Sequence, residues 1–454
     1  MDAERKFIGS PSLIMPGEEN SQSMWQMMKE LFPIYRSLLG AGYKESLDII
    51  QKYFPLDVME VKSGKKVFDW TIPKEFKVNE AWVEGPDGER VLDFNIHPYC
   101  IWIYSQSYDG VMDLEELKEN ISTDPELPGA YPMRQTYYRE TWGLSAPYNL
   151  VKKLKPGQYK VHIDTELFDG VLRIGEAYLP GEVEEEILIN SYLCHPLGAN
   201  DNLSGVVAAV ETFRMLAEMP NRHYSYRLAL WPEGIGVIAY MAKYSERLKK
   251  TIGGYQLGIC GDGKPVSLDQ TFSGDTIFDR AAKHAMEFCG REVVARKFNI
   301  YGGADVLHLN SVGYRLAVAN ITRGGSRPGG YAEYHSSADD LELVRPEYLL
   351  ESLQVAWVAL MTVERARRYK GTYQVTPFLS KYGVFPYQHG WGTGGQGTEI
   401  GNAYYAMMGE ADGSKDLLQI AEDNDMPIFA FDECVREFCR VGLLTVVGET
   451  DDLR

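Results

Sequence analysis

The chain has 454 residues, 44 % of them hydrophobic and 24 % charged, which is the composition of a globular protein long enough for two or three domains. Its net charge of −18 argues against sequence-independent binding to nucleic acid or to an anionic membrane, since both need a basic surface. There is no CxxC pair, no apolar leader after Met1 and no run of about 18 apolar residues, which predicts a cytoplasmic protein without disulfides or a transmembrane helix.

Residues 21–53 carry apolar side chains at helical spacing and are predicted to form helices. Residues from about 56 to 180 differ, because short runs of alternating polarity are separated by turns rich in Gly and Pro. These runs are Glu80–Val83, Ile101–Tyr104, Tyr159–Ile163 and Gly170–Ile174. The spacing predicts a β-rich module.

From about residue 183 to 370, apolar runs of strand length alternate with helical patterns, which is typical of βαβ units. The predicted helices are Ser204–Met219, Ile277–Cys289 and Pro346–Arg368. Asn202 or Ser204 is expected to cap the first of them, because short polar side chains accept hydrogen bonds from the first free N–H groups of a helix.

Residues 371–454 form a different pattern again. A Gly-rich aromatic stretch, Tyr382–Gly401, precedes two short helical segments, Leu417–Glu422 and Ile428–Cys439, and a terminal β segment, Leu443–Val447. This order predicts a small winged-helix-like domain. Its five basic and thirteen acidic residues favour a packing or dimerisation module over DNA binding. Aromatic residues at 382–405 could form a subunit contact, and thus a homo-oligomer, or a pocket wall.

Polar residues follow three buried-strand patterns, Ile187–Leu193, Tyr226–Leu230 and Tyr255–Cys260. His195 and Asp201 follow the first strand, Glu233 the second and Asp262 the third, while His335 lies in a later loop. Ligands of open α/β sheets bind at the carboxyl ends of the strands. Zinc takes His nitrogen and Asp or Glu oxygen, so this set favours a zinc site.

Each candidate also has an ordinary structural explanation. His195 could be a loop histidine bonded to backbone, and Asp201 a helix cap. Glu233 and Asp262 could be turn residues. His335 could be a surface residue, or a ligand oriented by Asp339 four residues later. Their joint placement after strands favours the metal site, with Glu233 as general base for water.

Other chemistries fit less well. Gly302–Asp305 lacks the Lys-Ser/Thr ending of a phosphate loop, and Gly324–Ser326 lacks the elbow of a serine hydrolase. Cys194 could be a nucleophile, but an adjacent His195 is not expected to reach its thiol.

These motifs resemble those of the co-catalytic zinc aminopeptidase superfamily, which includes bacterial leucyl aminopeptidases and glutaminyl cyclases. The motifs are Cys194-His195-Pro196, Asn200-Asp201-Asn202-Leu203-Ser204-Gly205, Pro232-Glu233-Gly234 and Tyr334-His335-Ser336-Ser337-Ala338-Asp339. The chain is most similar to an aminopeptidase-like branch that has an inserted β domain and a C-terminal winged helix. The segments Val67–Glu75 and Ser122–Leu144 resemble that insert.

The resemblance implies an α/β fold with a phosphorylase/hydrolase-like sheet flanked by helices. Residues 21–60 and 181–370 would form the catalytic domain, 61–180 the inserted β-rich domain and 371–454 the winged-helix domain.

The resemblance also implies a role for each site residue. His195, Asp201 and Asp262 would bind one zinc, with Asp201 bridging to a second ion bound by His335. Glu233 would be the general base, and Asp305 an acid that faces the substrate or supports the site.

Two departures from the family pattern modify these expectations. Gly234 stands where the peptidases have a second glutamate, a metal ligand, so we expect one firmly held zinc and at most a weak second one. Alternatively, His335 joins His195 and Asp201 around one zinc and Asp262 lies outside. The segments Val306–His308 and Leu144–Ala146 also differ from the branch, so the substrate is expected to differ.

The sequence therefore predicts a zinc-dependent hydrolase of an amide bond in a small peptide or an aminoacyl or acylamino metabolite, with the insert as a lid. Glutaminyl-cyclase-like acyl transfer and a non-catalytic metal-binding scaffold or regulator remain as alternatives.

Overall fold

The computed structural model describes residues 13–298, 304–324, 330–384 and 399–447. The described residues form nineteen strands and twelve α-helices. The strands are β1 (Asp57–Lys62), β2 (Lys66–Val67), β3 (Trp70–Thr71), β4 (Glu75–Glu84), β5 (Arg90–Asp93), β6 (Tyr108–Asp113), β7 (Ile121–Ser122), β8 (Leu144–Ser145), β9 (Gln158–Phe168), β10 (Val171–Leu179), β11 (Glu186–Tyr192), β12 (Ser225–Trp231), β13 (Thr251–Leu257), β14 (Val266–Asp269), β15 (Val294–Arg296), β16 (Val318–Arg323), β17 (Arg368–Gly371), β18 (Asp412–Asp416) and β19 (Leu444–Val446).

The helices alternate with these strands in the middle of the chain and cluster at both of its ends. They are α1 (Glu18–Leu31), α2 (Ala41–Ile50), α3 (Leu114–Glu119), α4 (Tyr148–Val151), α5 (Gly205–Glu218), α6 (Ile235–Tyr244), α7 (Ile277–Phe288), α8 (Ala304–Leu309), α9 (Pro346–Arg365), α10 (Glu399–Glu410), α11 (Leu417–Asp423) and α12 (Asp432–Arg440).

A mixed eight-stranded sheet forms the centre of the molecule, in the order β1-β10-β12-β11-β13-β16-β14-β15. The four strands β12, β11, β13 and β16 are parallel, and antiparallel strands flank them on both sides. Every residue of β11, β12 and β13 is buried, as expected for parallel strands covered on both faces. The carboxyl ends of these strands therefore lie at one edge of the sheet. The predicted α/β class with a helix-flanked sheet is confirmed.

A separate antiparallel sheet, β5-β4-β9-β6, lies within the predicted insert. β10 also lies within residues 61–180, but it pairs with β1 and β12 of the large sheet. The predicted strand Ile101–Tyr104 is wrong. Only single bridges form there, from Ile101 to Leu144 and from Ile103 to Gln135.

The C-terminal part contains helices α10, α11 and α12 and a three-stranded sheet in the order β18-β17-β19. Arg280 of α7 forms ion pairs with Asp416 and Glu422. Arg365 of α9 forms an ion pair with Asp432. Polar contacts therefore join the C-terminal part to helices α7 and α9. Most of the Gly-rich stretch Tyr382–Gly401 lies outside the described residues. The winged-helix assignment and the domain boundaries stay predictions.

Within the described residues, no helix combines the length and the apolar character that crossing a membrane requires.

Candidate metal centre

Loops at the carboxyl edge of the parallel strands place the predicted site residues. His195 lies in the turn after β11, and Glu233 follows β12 by two residues. Asp201 lies in a short helical turn, Ala199–Ser204, that leads into α5. His335 comes from the loop between β16 and α9. Residues that are far apart in the sequence therefore meet at one sheet edge.

Three of these side chains point their metal-binding atoms at one another. The Nε2 atom of His335 lies 3.1 Å from Oδ2 of Asp201, and the Nε2 atom of His195 lies 3.8 Å from the same oxygen. Within the part of the chain that the structure describes, none of these three buried atoms has a hydrogen-bond partner. Unpartnered buried polar atoms are costly, so their convergence needs an explanation. Two imidazole nitrogens and a carboxylate oxygen are a ligand set that zinc accepts, and the residues therefore fit this metal.

Glu233 lies beside this cluster. Its Oε2 atom is 3.6 Å from Nε2 of His195. The side chains of Glu233 and His335 are 28 % and 27 % exposed, whereas those of His195 and Asp201 are almost completely buried. A molecule that enters from solvent therefore reaches Glu233 and His335 first.

Asp262 does not join this cluster. Its carboxylate accepts hydrogen bonds from Nδ2 of Asn200 at 2.9 Å and from the backbone N–H of Lys264 at 2.7 Å. The potential ligand groups among the described residues do not include Asp262, so the expectation that it meets His195 and Asp201 at one ion is not met. The geometry agrees with the alternative that groups His195, Asp201 and His335 and leaves Asp262 outside.

Asp339, which the sequence offered as one possible partner for orienting His335, contacts the Asp201 turn instead. Its two carboxylate oxygens accept hydrogen bonds from the backbone N–H groups of Asn200 at 2.6 Å and Asp201 at 2.9 Å. The hydroxyl of Tyr331 is a third donor at 2.9 Å. Asp339 therefore fixes the backbone that carries Asp201.

A separate hydrogen bond fixes the side chain of Asp201. The hydroxyl of Tyr192 donates to its Oδ1 atom at 2.6 Å, which leaves Oδ2 for the histidines. Burial alone raises the pKa of Asp201, but the neighbouring His195 and His335 and the Tyr192 hydroxyl outweigh burial and lower the pKa to about 2. Asp201 is therefore a carboxylate, the form that binds a metal.

The predicted caps of α5 are also corrected. The side chain of Asn202 donates to Oγ of Ser191 and accepts from the backbone N–H of Ile259. The hydroxyl of Ser204 donates to the carbonyl of Asn200 and accepts from the N–H of Cys260. Both side chains connect the Asp201 turn to the ends of neighbouring strands instead of capping the helix.

Asp305 holds the turn that carries Glu233 in place through hydrogen bonds. The carboxylate of Asp305 accepts from the backbone N–H of Gly234 and from Nε1 of Trp231, both at 2.7 Å. Burial raises the pKa of Asp305 to about 7. Burial, followed by the charges of Asp305 and Asp201, raises the pKa of Glu233 well above its usual range. Glu233 therefore holds a proton more readily than an exposed glutamate.

Gly234 has φ +68°, a conformation that favours glycine, and a Cβ placed there would meet no atom within 4 Å. The position where the peptidases have a second carboxylate is therefore open space in this chain.

Cys194 forms a second potential ligand group with His195 and Glu233. Contrary to expectation, its thiol does reach the neighbouring ring, with Sγ 3.7 Å from Nδ1 of His195. Burial raises the pKa of this thiol well above its usual range. Because the thiolate is the nucleophile, this raised pKa disfavours a nucleophilic role for Cys194.

The residues that support the His335 loop were not recognised from the sequence. The N–H of Met133 donates to the carbonyl of His335 at 2.7 Å, and the N–H of Tyr131 donates to Oγ of Ser337 at 2.9 Å. These contacts join the predicted insert to the metal-ligand loop across about two hundred residues of sequence. No local pattern of residue types signals such a contact.

Comparison with known proteins assigns the chain to a family. A family profile described as "Domain of unknown function (DUF4910)" matches residues 25–366. The chain belongs to this family. A Clostridium acetobutylicum relative, described as "Putative polysaccharide biosynthesis protein with aminopeptidase-like domain", is 34 % identical over 448 residues. The match covers 98 % of this chain and 100 % of the relative.

Two solved structures relate the fold to peptidases. One, the crystal structure of a "putative peptidase" from Clostridium acetobutylicum, has 33 % identity and a TM-score of 0.86, and covers 94 % of this chain and 97 % of its own. The other, a zinc aminopeptidase from Bacillus subtilis, has 14 % identity and a TM-score of 0.57, and covers 77 % and 96 %. The DUF4910 chain thus has the zinc aminopeptidase fold, and the resemblance to that superfamily is confirmed.

Proposed function

We propose that this chain is a zinc-dependent hydrolase that cleaves an amide bond in a small peptide or in an aminoacyl or acylamino metabolite. The observation that carries the proposal is the convergence of three unpartnered atoms, on His195, Asp201 and His335, beside the carboxylate of Glu233. The aminopeptidase-like domain named for the relative agrees with this chemistry.

His195, Asp201 and His335 would hold one zinc ion. Zinc, when bound, polarises a carbonyl oxygen and makes a water molecule a stronger nucleophile. Three protein ligands with an open position are typical of catalytic zinc, whereas structural zinc has four. A second ion would lack the carboxylate that Gly234 replaces, so one firmly held ion is the proposed stoichiometry.

Glu233 is the proposed general base. Its carboxylate would take a proton from the attacking water and give it to the leaving amine, so that the residue ends the reaction in its starting state. A raised pKa suits this task, because the group must hold the proton between the two transfers. Asp305 would keep Glu233 in place through the N–H of Gly234.

The experiment that tests the proposal compares wild type with Glu233→Gln on a panel of aminoacyl and acylamino substrates, with metal content measured on the same samples. Glu218→Gln, at an exposed position near the end of α5, is the control. We expect hydrolysis by the wild type and the control, and loss of turnover with zinc retained in Glu233→Gln.

Retained turnover in Glu233→Gln would overturn the role of that residue. Reaction in water enriched in ¹⁸O separates hydrolysis from acyl transfer. Label in the released carboxylate supports hydrolysis, whereas ammonia release from an N-terminal glutamine without label would contradict it.

A further inference from the structure

A buried arginine lies directly behind the His195 loop. Arg36, in the segment between α1 and α2, is 0 % exposed. Its Nε atom donates to the carbonyl of His195 at 3.0 Å, and its Nη1 atom donates to the carbonyl of Leu31 at 2.6 Å. The guanidinium thus connects the end of α1 to the backbone of His195, a candidate metal ligand that lies 159 residues after Arg36.

This charge has an unusual set of partners. Among the described residues, Arg36 hydrogen-bonds to two carbonyl oxygens and, at 3.5 Å, to the hydroxyl of Ser46, and its Nη2 atom has no partner. Buried guanidinium groups are usually paired with carboxylates, because removing a charge from water is costly. Burial lowers the pKa of Arg36 to about 10, which still leaves it charged at neutral pH. Packing alone would not require a charged side chain at position 36.

A second buried donor holds the next carbonyl. The hydroxyl of Tyr99, which lies in a short 3-10 turn of the predicted insert, donates to the carbonyl of Pro196. The ring is 3 % exposed. Consecutive carbonyls of the loop are therefore held by donors from two different parts of the chain.

We propose that Arg36 and Tyr99 are positioning residues for the metal centre. By holding the carbonyls of His195 and Pro196, they fix the backbone from which the His195 ring extends, and so the position of Nε2 relative to Oδ2 of Asp201. The inference rests on the proposed metal site. Partners that hold metal ligands in place are a recognised determinant of metal affinity.

The test measures the zinc dissociation constant of the full chain by competition with a chromophoric chelator. It is accompanied by the visible absorption spectrum of the cobalt-substituted protein. The variants are Tyr99→Phe, which removes only the hydroxyl, and Arg36→Lys, which keeps the charge but not the donor geometry. Tyr255→Phe is the matched control, because the buried hydroxyl of Tyr255 also donates to a carbonyl, that of Phe278, at 2.7 Å.

We expect Tyr99→Phe and Arg36→Lys to raise the zinc dissociation constant about 10-fold or more and to change the cobalt spectrum. Tyr255→Phe should lower the melting temperature, as Tyr99→Phe does. It should leave the zinc dissociation constant and the cobalt spectrum unchanged. If Arg36→Lys fails to fold, the metal affinity and spectrum of Tyr99→Phe alone decide whether the positioning role holds.

Wild-type affinity and spectrum in Tyr99→Phe, with zinc bound by the wild type, would overturn the positioning role and leave the proposed function intact. A wild-type chain that binds no zinc would overturn the proposed function and, with it, this inference.

Discussion

Nε2 of His335 lies 3.1 Å from Oδ2 of Asp201, and neither atom has a hydrogen-bond partner among the described residues. Asp201 lies in the loop between β11 and α5, and His335 lies in the loop between β16 and α9. Each loop is held by its own hydrogen bonds. Asp339 fixes the Asp201 turn, and Met133 fixes the backbone of His335. An imidazole nitrogen and a carboxylate oxygen that are held this close together match the arrangement expected of two ligands that share one ion.

Asp201 and Asp262 should differ in their effect on metal binding. Asp201→Asn removes the charge that faces both histidines, so zinc content should fall to background. Asp262→Asn changes a carboxylate whose donors among the described residues are Asn200 and the N–H of Lys264, so zinc content should stay near the wild-type value. Elemental mass spectrometry on both variants checks this. Equal loss of zinc in both would place Asp262 among the ligands after all.

Asp339→Ala should destabilise the chain and weaken metal binding together. The change leaves the N–H groups of Asn200 and Asp201 and the hydroxyl of Tyr331 without their acceptor. A typical hydrogen bond contributes about 1 kcal/mol net, so the loss of three is expected to lower the free energy of unfolding by about 3 kcal/mol. Urea denaturation measures it. The neighbouring Asp340→Ala is the control and should cost below about 0.5 kcal/mol.

The contact between α7 and the C-terminal part should weaken in acid. His284 is 6 % exposed, and its Nε2 atom accepts from the N–H of Ile428 at 3.2 Å. Burial, and to a smaller extent Arg280, lowers the pKa of His284 to about 4. The folded state therefore favours the neutral ring. Its contribution is complete above the ordinary pKa of about 6.5 and is lost as the pH falls toward 4.

The variant His284→Gln isolates this contribution, because its side-chain oxygen can still accept from Ile428. A shift of this size corresponds to at most about 3 kcal/mol. Between pH 7 and pH 4 the wild type should lose more unfolding free energy than the variant, as measured by urea denaturation at each pH. Parallel pH profiles for the two proteins would show that His284 is not the titrating group.

Much of the fold could be predicted because its signals are local. The buried strands β11, β12 and β13 are short segments rich in apolar residues, and α5, α7 and α9 have clear helical spacing. The residues of β10 did not indicate which sheet it joins, because alternating strands look alike whichever sheet they join. The partners of a strand depend on contacts that its own residues do not encode.

The site could be predicted only in part for a similar reason. The sequence located His195, Asp201, Glu233 and His335, because each follows a strand or lies in a recognisable motif. It could not place Asp262, whose carboxylate direction depends on the turn contacts with Asn200. Arg36 was missed, since a lone arginine after a helix has no pattern that reveals a hydrogen bond to His195.

The most direct test of the metal centre is the zinc content per chain of protein purified without chelators, measured by elemental mass spectrometry. The account predicts about one zinc per wild-type chain, as for a catalytic site with three protein ligands. It predicts loss of that zinc in His195→Asn and in His335→Asn but not in the control His162→Asn, whose ring lies in the insert sheet. No zinc in the wild type even after zinc is added, or zinc retained when His195 and His335 are both replaced, would contradict it.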